Sequence, residues 1–194
     1  MEKTNSICHF KPHDKEKLKW EARFFWPDNQ PIILNLIDNS LLLLSCYKNK
    51  FKEDSYYLLP DKNYNIKRRH NELLYKPILK HSPVAIGYGS KIKLENRPED
   101  AHPDSKNTTR LNKILRETQQ TGTIILVKKE AYIYKFATTP HIKLELARLL
   151  VNEKIYFSAC IEGHSASLVA TLSQLLLGSQ TACDYVTFLK GSLL

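Results

Sequence analysis

Residues 55–79 read SYYLLPDKNYNIKRRHNELLYKPIL, two extended runs joined at His70-Asn71. Taking those two residues as the loop sets Arg69 opposite Glu72, Lys67 opposite Leu74 and Asn65 opposite Lys76. Lys67, Arg69 and Lys76 then share one face of the hairpin, whereas Ile66 and Tyr75 share the other and Arg68 points away from its two basic neighbours. The loop alone fixes this register, and a slip of one residue would invert every assignment. With that register, one side of the hairpin is a basic surface suited to a phosphate-like anion.

Outward from the hairpin, the totals bound the rest. With 194 residues, 42% of them hydrophobic, the chain can bury a sizeable core, and one domain over 18–194 after a polar lead-in over 1–17 is expected. Lys and Arg number 29 against 20 Asp and Glu, a net charge of +9 that favours acidic partners. The four cysteines, Cys8, Cys46, Cys160 and Cys183, have no spacing that makes a zinc site and are read as free thiols in a reducing compartment. The N-terminus lacks the apolar core of a signal peptide, and the longest apolar run, Leu41 to Leu44, is too short to span a bilayer. A cytoplasmic protein without a membrane segment, monomeric or homodimeric, is the expectation.

Strand signals recur along the chain. Leu18 to Trp26 is aromatic-rich and ends at Pro27-Asp28-Asn29, with Glu21 and Arg23 on one face. Pro31 to Cys46 is ambiguous, its first half assigned to a helix. The prolines and glycines of 80–109 predict loops around one short strand, Lys91 to Glu95, before a short helix over Thr109 to Gln119. Thr123 to Phe136 reads as one long strand or two joined at Lys129-Glu130, and Ile142 to Leu150 as strand or helix. Lys154 to Glu162 alternates, with Tyr156, Ser158, Cys160 and Glu162 on one side. Ser165 to Leu177 is an amphipathic helix with Leu168, Leu172, Leu175 and Leu176 inward and Gly178 as its stop. Asp184 to Leu189 reads as a short strand or docked turn.

Taken in order, WEARFF (20–25), the basic hairpin, LVKKEAYIY (126–134), LELARLLVNEKIYFSACIEG (144–163) and CDYVTFL (183–189) resemble the CYTH-like, or triphosphate tunnel, superfamily. The resemblance implies an α+β fold in which an antiparallel β-barrel forms a tunnel with a few flanking helices. It also implies basic side chains holding the phosphates of a triphosphate or polyphosphate, and glutamates holding Mg²⁺ or Mn²⁺. Carried over by position, Arg23, Lys67, Arg69, Lys76 and Lys129 would grip phosphate. Glu21, Glu145 and Glu162 would ligate metal, with Glu21 and Glu162 serving catalysis. Three positions depart from the pattern: Lys19 and Cys160 stand where the superfamily carries glutamates, and Glu130 stands where an arginine is usual.

Two functions follow as expectations. One is a metal-dependent phosphohydrolase acting on inorganic or organic triphosphate or polyphosphate. The other is an anion-binding module that has lost metal-ligating glutamates, its ligand a small polyanion; the charge also allows nucleic acid, which is not favoured because no aromatic base-stacking consensus is present. Against both stands the simpler reading of a solvated basic hairpin, with Glu21 and Arg23 forming a surface ion pair of little energetic consequence.

Overall fold

The computed structural model describes residues 18–35, 39–95, 106–178 and 180–193. The predicted lead-in over 1–17 lies outside them. Ten strands form one antiparallel sheet: β1 (Lys19–Pro27), β2 (Lys48–Leu58), β3 (Asn65–Arg69), β4 (Glu72–Lys76), β5 (Ile78–His81), β6 (Ile86–Tyr88), β7 (Ile92–Lys93), β8 (Thr123–Lys135), β9 (Ile142–Val151) and β10 (Lys154–Gly163). Among the described residues three α-helices accompany it: α1 (Lys106–Thr121), α2 (Ala166–Leu177) and α3 (Tyr185–Gly191). The order across the sheet is β5-β6-β1-β10-β9-β8-β2-β3-β4-β7.

The sheet curls until its two ends meet. Glu21 on β1 and Lys76 on β4 lie six places apart in that order, about 29 Å across a flat sheet at the usual strand spacing. Their side chains nonetheless form an ion pair of 2.5 Å. Pro77 makes the closure, since it alone separates β4, near one end of the order, from β5 at the other, and its carbonyl accepts from the Gly89 amide. The result is the α+β, tunnel-like barrel that the sequence led us to expect.

Period-two alternation sorts side chains between the inside and outside of this wall. On β1, Lys19, Glu21, Arg23 and Phe25 face inward, whereas Ala22, Phe24 and Trp26 join Ile142, Leu144, Ala159 and Ile161 in an outer core. Helix α2 covers that core with Val169, Leu172 and Leu176, its N-terminus capped by Ser165. Leu175, assigned inward, is 49% exposed, because the inward stripe of α2 runs through Val169, Leu172 and Leu176. Helix α1 lays Leu111 and Ile114 on Ile66, Leu73 and Tyr75, the outer face of the β3–β4 hairpin. Helix α3 does the opposite. Its Tyr185, Val186 and Leu189 pack on Tyr56, Ile125, Val127, Ala147 and Leu149, residues of the same alternation as the charged interior, so α3 fills one end of the barrel.

Several expectations are corrected. No helix forms in 31–35; the described remainder of that stretch makes only short 3-10 turns at Asn39–Leu42 and Leu44–Cys46, the turn chemistry of Asn39-Ser40 opposing a longer helix. The region 80–109, read as loops around one strand, also carries the end of β5 and all of β6, which pair with each other across a tight turn at Ser82–Ala85 while β6 pairs with β1 on its other edge. The tail is helical: Asp184 caps the Val186 and Thr187 amides and outweighs the strand propensity of YVTF. The open alternatives resolve as strands, with β8 unbroken at Lys129-Glu130 and 142–151 forming β9.

Candidate anion-binding site

The predicted hairpin register is the observed one: Asn65 pairs with Lys76, Lys67 with Leu74 and Arg69 with Glu72. His70 and Asn71 both take positive φ, 48° and 63°, the backbone that closes a two-residue hairpin with the sheet's own twist. This turn places Lys67, Arg69 and Lys76 inside the barrel. Arg68 points out, where it holds Glu95 with two hydrogen bonds.

All the residues singled out from sequence, namely Glu21, Arg23, Lys67, Arg69, Lys76, Lys129, Glu145 and Glu162, line one interior cavity of about 250 Å³. The alternation of β1, β3, β4, β8, β9 and β10 is what brings them together. Lys19, Lys50, Lys52, Lys91 and Lys143 line it too, giving ten basic side chains among the described residues. Against them stand the lining carboxylates Glu21, Glu145, Glu162 and Asp184, with Asp54 directly behind Lys67 and Arg69 as a fifth. The surplus of five positive charges is of the order that a triphosphate group carries with opposite sign at neutral pH.

Four of these five carboxylates are held by bases, while Asp184 caps α3. Glu145 takes Arg23 at 3.1 Å and Lys129 at 2.8 Å; Glu162 takes Lys19 at 2.8 Å and Lys143 at 3.8 Å; Asp54 takes Lys67 at 2.9 Å and Arg69 at 2.5 Å. Burial by itself would raise the Glu21 carboxyl, but Lys76, Arg23 and Lys19 outweigh it and bring its pKa down to about 2. Glu145 is likewise held well below the carboxylate range, burial being overcome by Arg23 and Lys129. Burial dominates at two of the bases: Lys67 and Lys129 are lowered despite their partners. Lys52 is lowered to about 8 by burial and by Lys129 opposite it on the neighbouring strand.

For a metal, the relevant cluster is Glu21, Cys160 and Glu162, whose ligand atoms all lie within 4.8 Å of one another. Two carboxylates suit a hard cation that keeps substrate phosphate oxygens in its remaining positions. Cys160 does not suit it: the thiol is fully buried, and burial pushes its pKa up, so it stays neutral. Glu145 is committed to Arg23 and Lys129. The donor set therefore fits one divalent cation between Glu21 and Glu162 and not two.

Sequence reasoning missed the contribution of β2. Its inward residues Lys50, Lys52, Asp54 and Tyr56 follow a strict alternation, but the charged run KNKFKED around them has low strand propensity and disguises it. Tyr56 and Tyr88 also line the site and lie under the Lys67 and Lys76 ammonium groups, at 5.3 and 3.8 Å from ring centroid to nitrogen.

Several solved structures are similar to this chain, three of them as follows. A mimivirus capping enzyme triphosphatase is 11% identical over 92% of this chain and 87% of its own, with a TM-score of 0.39. A candidate adenylate cyclase from Bacillus halodurans is 11% identical over 84% and 93%, with a TM-score of 0.37. The S. pombe RNA triphosphatase, solved in complex with the Spt5 CTD, is 9% identical over 81% and 75%, with a TM-score of 0.36. Neither a family model nor a curated protein matches the sequence. Among the described residues, no helix is long and apolar enough to cross a membrane.

Proposed function

We propose that the barrel interior binds the triphosphate group of an inorganic or organic polyanion. The observation that carries this reading is the surplus of five positive charges around one cavity of about 250 Å³, built from strands on all sides. Such an excess is costly in a partly dry interior, and an anion of matching charge relieves it. Arg23, Lys67, Arg69, Lys76 and Lys129 hold phosphate oxygens, and Lys50, Lys52 and Lys91 add to the same field. Calorimetry with tripolyphosphate tests the proposal. Binding that Lys67→Ala and Arg69→Ala together weaken at least tenfold supports it, and no measurable binding by the wild-type chain rejects it.

A second reading, hydrolysis of the bound triphosphate, is favoured by the proximity of Glu21 and Glu162. Those two residues would hold one Mg²⁺ or Mn²⁺, which when bound supplies charge neutralisation and activation of water. Lys76 and Lys19, now paired with these carboxylates, would turn to the phosphates, while Arg23 and Lys129 stay anchored on Glu145 and point their remaining donors at developing negative charge. Phosphate release from tripolyphosphate, ATP or thiamine triphosphate with Mn²⁺, abolished in Glu21→Gln, supports hydrolysis. Tight binding without turnover, unaffected by chelator, leaves the chain as a binding module, in keeping with Lys19 and Cys160 at its two altered positions.

A further inference from the structure

The interior has a second cavity against its wall. This outer groove, about 740 Å³, lies between the β2–β8 face and the tip of the β3–β4 hairpin, and Lys52, Arg69 and Lys129 line both it and the interior. The wall is open there because β2 and β3 pair at only two positions, Ser55 with Arg68 and Tyr56 with Lys67. From Glu53 back to Lys48, the edge of β2 toward β3 has no strand paired with it among the described residues.

Lys52 stands in this gap without an ion pair among the described residues, although Lys129 from β8, Lys67 and Arg69 from β3 and Glu145 from β9 surround it. One position before it, Phe51 turns to the groove side and is 74% exposed; Glu130 lies opposite it on β8 and Glu53 two places along β2, with Lys128 and Arg148 further along the groove. A lone exposed aromatic is ordinary on a protein surface. This one is set beside an unpaired cation at the junction of two cavities, and the groove has the volume of an ordinary small-ligand pocket, roughly 300–1,000 Å³.

Building on the proposed triphosphate site, we propose that the β2–β3 gap is a lateral opening through which an organic triphosphate passes its non-phosphate end, and that an aromatic group there stacks on Phe51. Lys52 then meets the phosphate nearest the organic end, and Arg148 supplies a further cation along the groove. The ligand class is thereby narrowed to triphosphates bearing a flat aromatic group, for which an exposed ring at the mouth of a cationic interior is a suitable platform.

Calorimetry on the full chain with two probes, ATP and tripolyphosphate, in Mg²⁺ buffer tests this. In Phe51→Ala, affinity for ATP falls roughly tenfold, the scale of one stacked ring, while that for tripolyphosphate is unchanged; Phe51→Trp keeps the wild-type ATP affinity. Retained tripolyphosphate binding shows that the variants are folded. If the ratio of the two affinities is the same in Phe51→Ala as in the wild type, the lateral site is wrong and the interior triphosphate site stands. If the wild-type chain binds neither probe, both proposals fall.

Discussion

Glu145 concentrates the energetics of the interior in one carboxylate. It sits on β9 between Arg23 and Lys129, with all three side chains nearly buried, and Arg23 also lies over the Tyr185 ring at 5.2 Å. Removing the charge but keeping the shape, Glu145→Gln, leaves two cations without a counter-ion in a space already overcharged. A loss of about 3 kcal/mol, the scale for breaking a buried pair, is expected in urea unfolding. Glu21 makes the same point through pH. Its carboxyl is depressed from 4.5 to about 2 in the folded chain, so the unfolded chain binds the proton more readily. The stability this group contributes is present above pH 4.5 and is lost as pH falls toward 2. Glu21→Gln should therefore show a flatter fall in stability across that window than the wild type in denaturant midpoints measured from pH 6 to pH 2; an unchanged slope would show that the Lys76 pair does not form.

At the level of elements, two tight hairpins set the register of the wall. Asn152 and Glu153, between β9 and β10, repeat the geometry of His70-Asn71 with φ of 45° and 69°. A β-carbon costs energy in that region, so Glu153→Gly, remote from the cavity, should stabilise the chain by about 0.5–1 kcal/mol after the extra freedom it gives the unfolded state, read as a raised melting temperature. Turn chemistry is also why this part of the fold was legible: once His70-Asn71 is the loop, the positions of Lys67, Arg69 and Lys76 follow by counting. Where pairing partners lie far along the chain, legibility ends. The charged run of β2 has strand alternation without strand composition, and the pairing of β6 with β1 and the Glu21–Lys76 closure depend on contacts that no local window contains. At the tail the opposite error arises, since YVTFL has strand composition, yet Asp184 as a cap and the burial of Val186 and Leu189 against the inner wall make it a helix. The site was legible where the charges alternate within recognised strands, and Lys50, Lys52 and Asp54 were missed with the strand that carries them.

On the scale of the whole molecule, the barrel encloses a charge imbalance that its own carboxylates do not cancel, while α3 fills one end with aromatic and aliphatic side chains, Phe188 stacking on Phe25 at 3.8 Å and Tyr185 on Tyr56 at 4.9 Å. The folded state therefore carries self-repulsion that the unfolded chain, with the same net charge of +9 dispersed in water, does not. Two kinds of added salt should separate a general from a local relief of that strain. Sodium chloride screens exposed charges over a Debye length of about 8 Å at physiological ionic strength and acts on the buried ion pairs much less. A polyanion that enters the cavity adds the linkage stabilisation of a ligand bound only by the folded chain, about 2.7 kcal/mol at a hundred times its dissociation constant. Tripolyphosphate should thus raise the melting temperature by several degrees more than sodium chloride at matched ionic strength, the increment growing with the logarithm of its concentration. Lys67→Ala combined with Arg69→Ala should reduce that increment while leaving the response to sodium chloride in place, because screening depends on the chain's overall charge and binding depends on the named side chains.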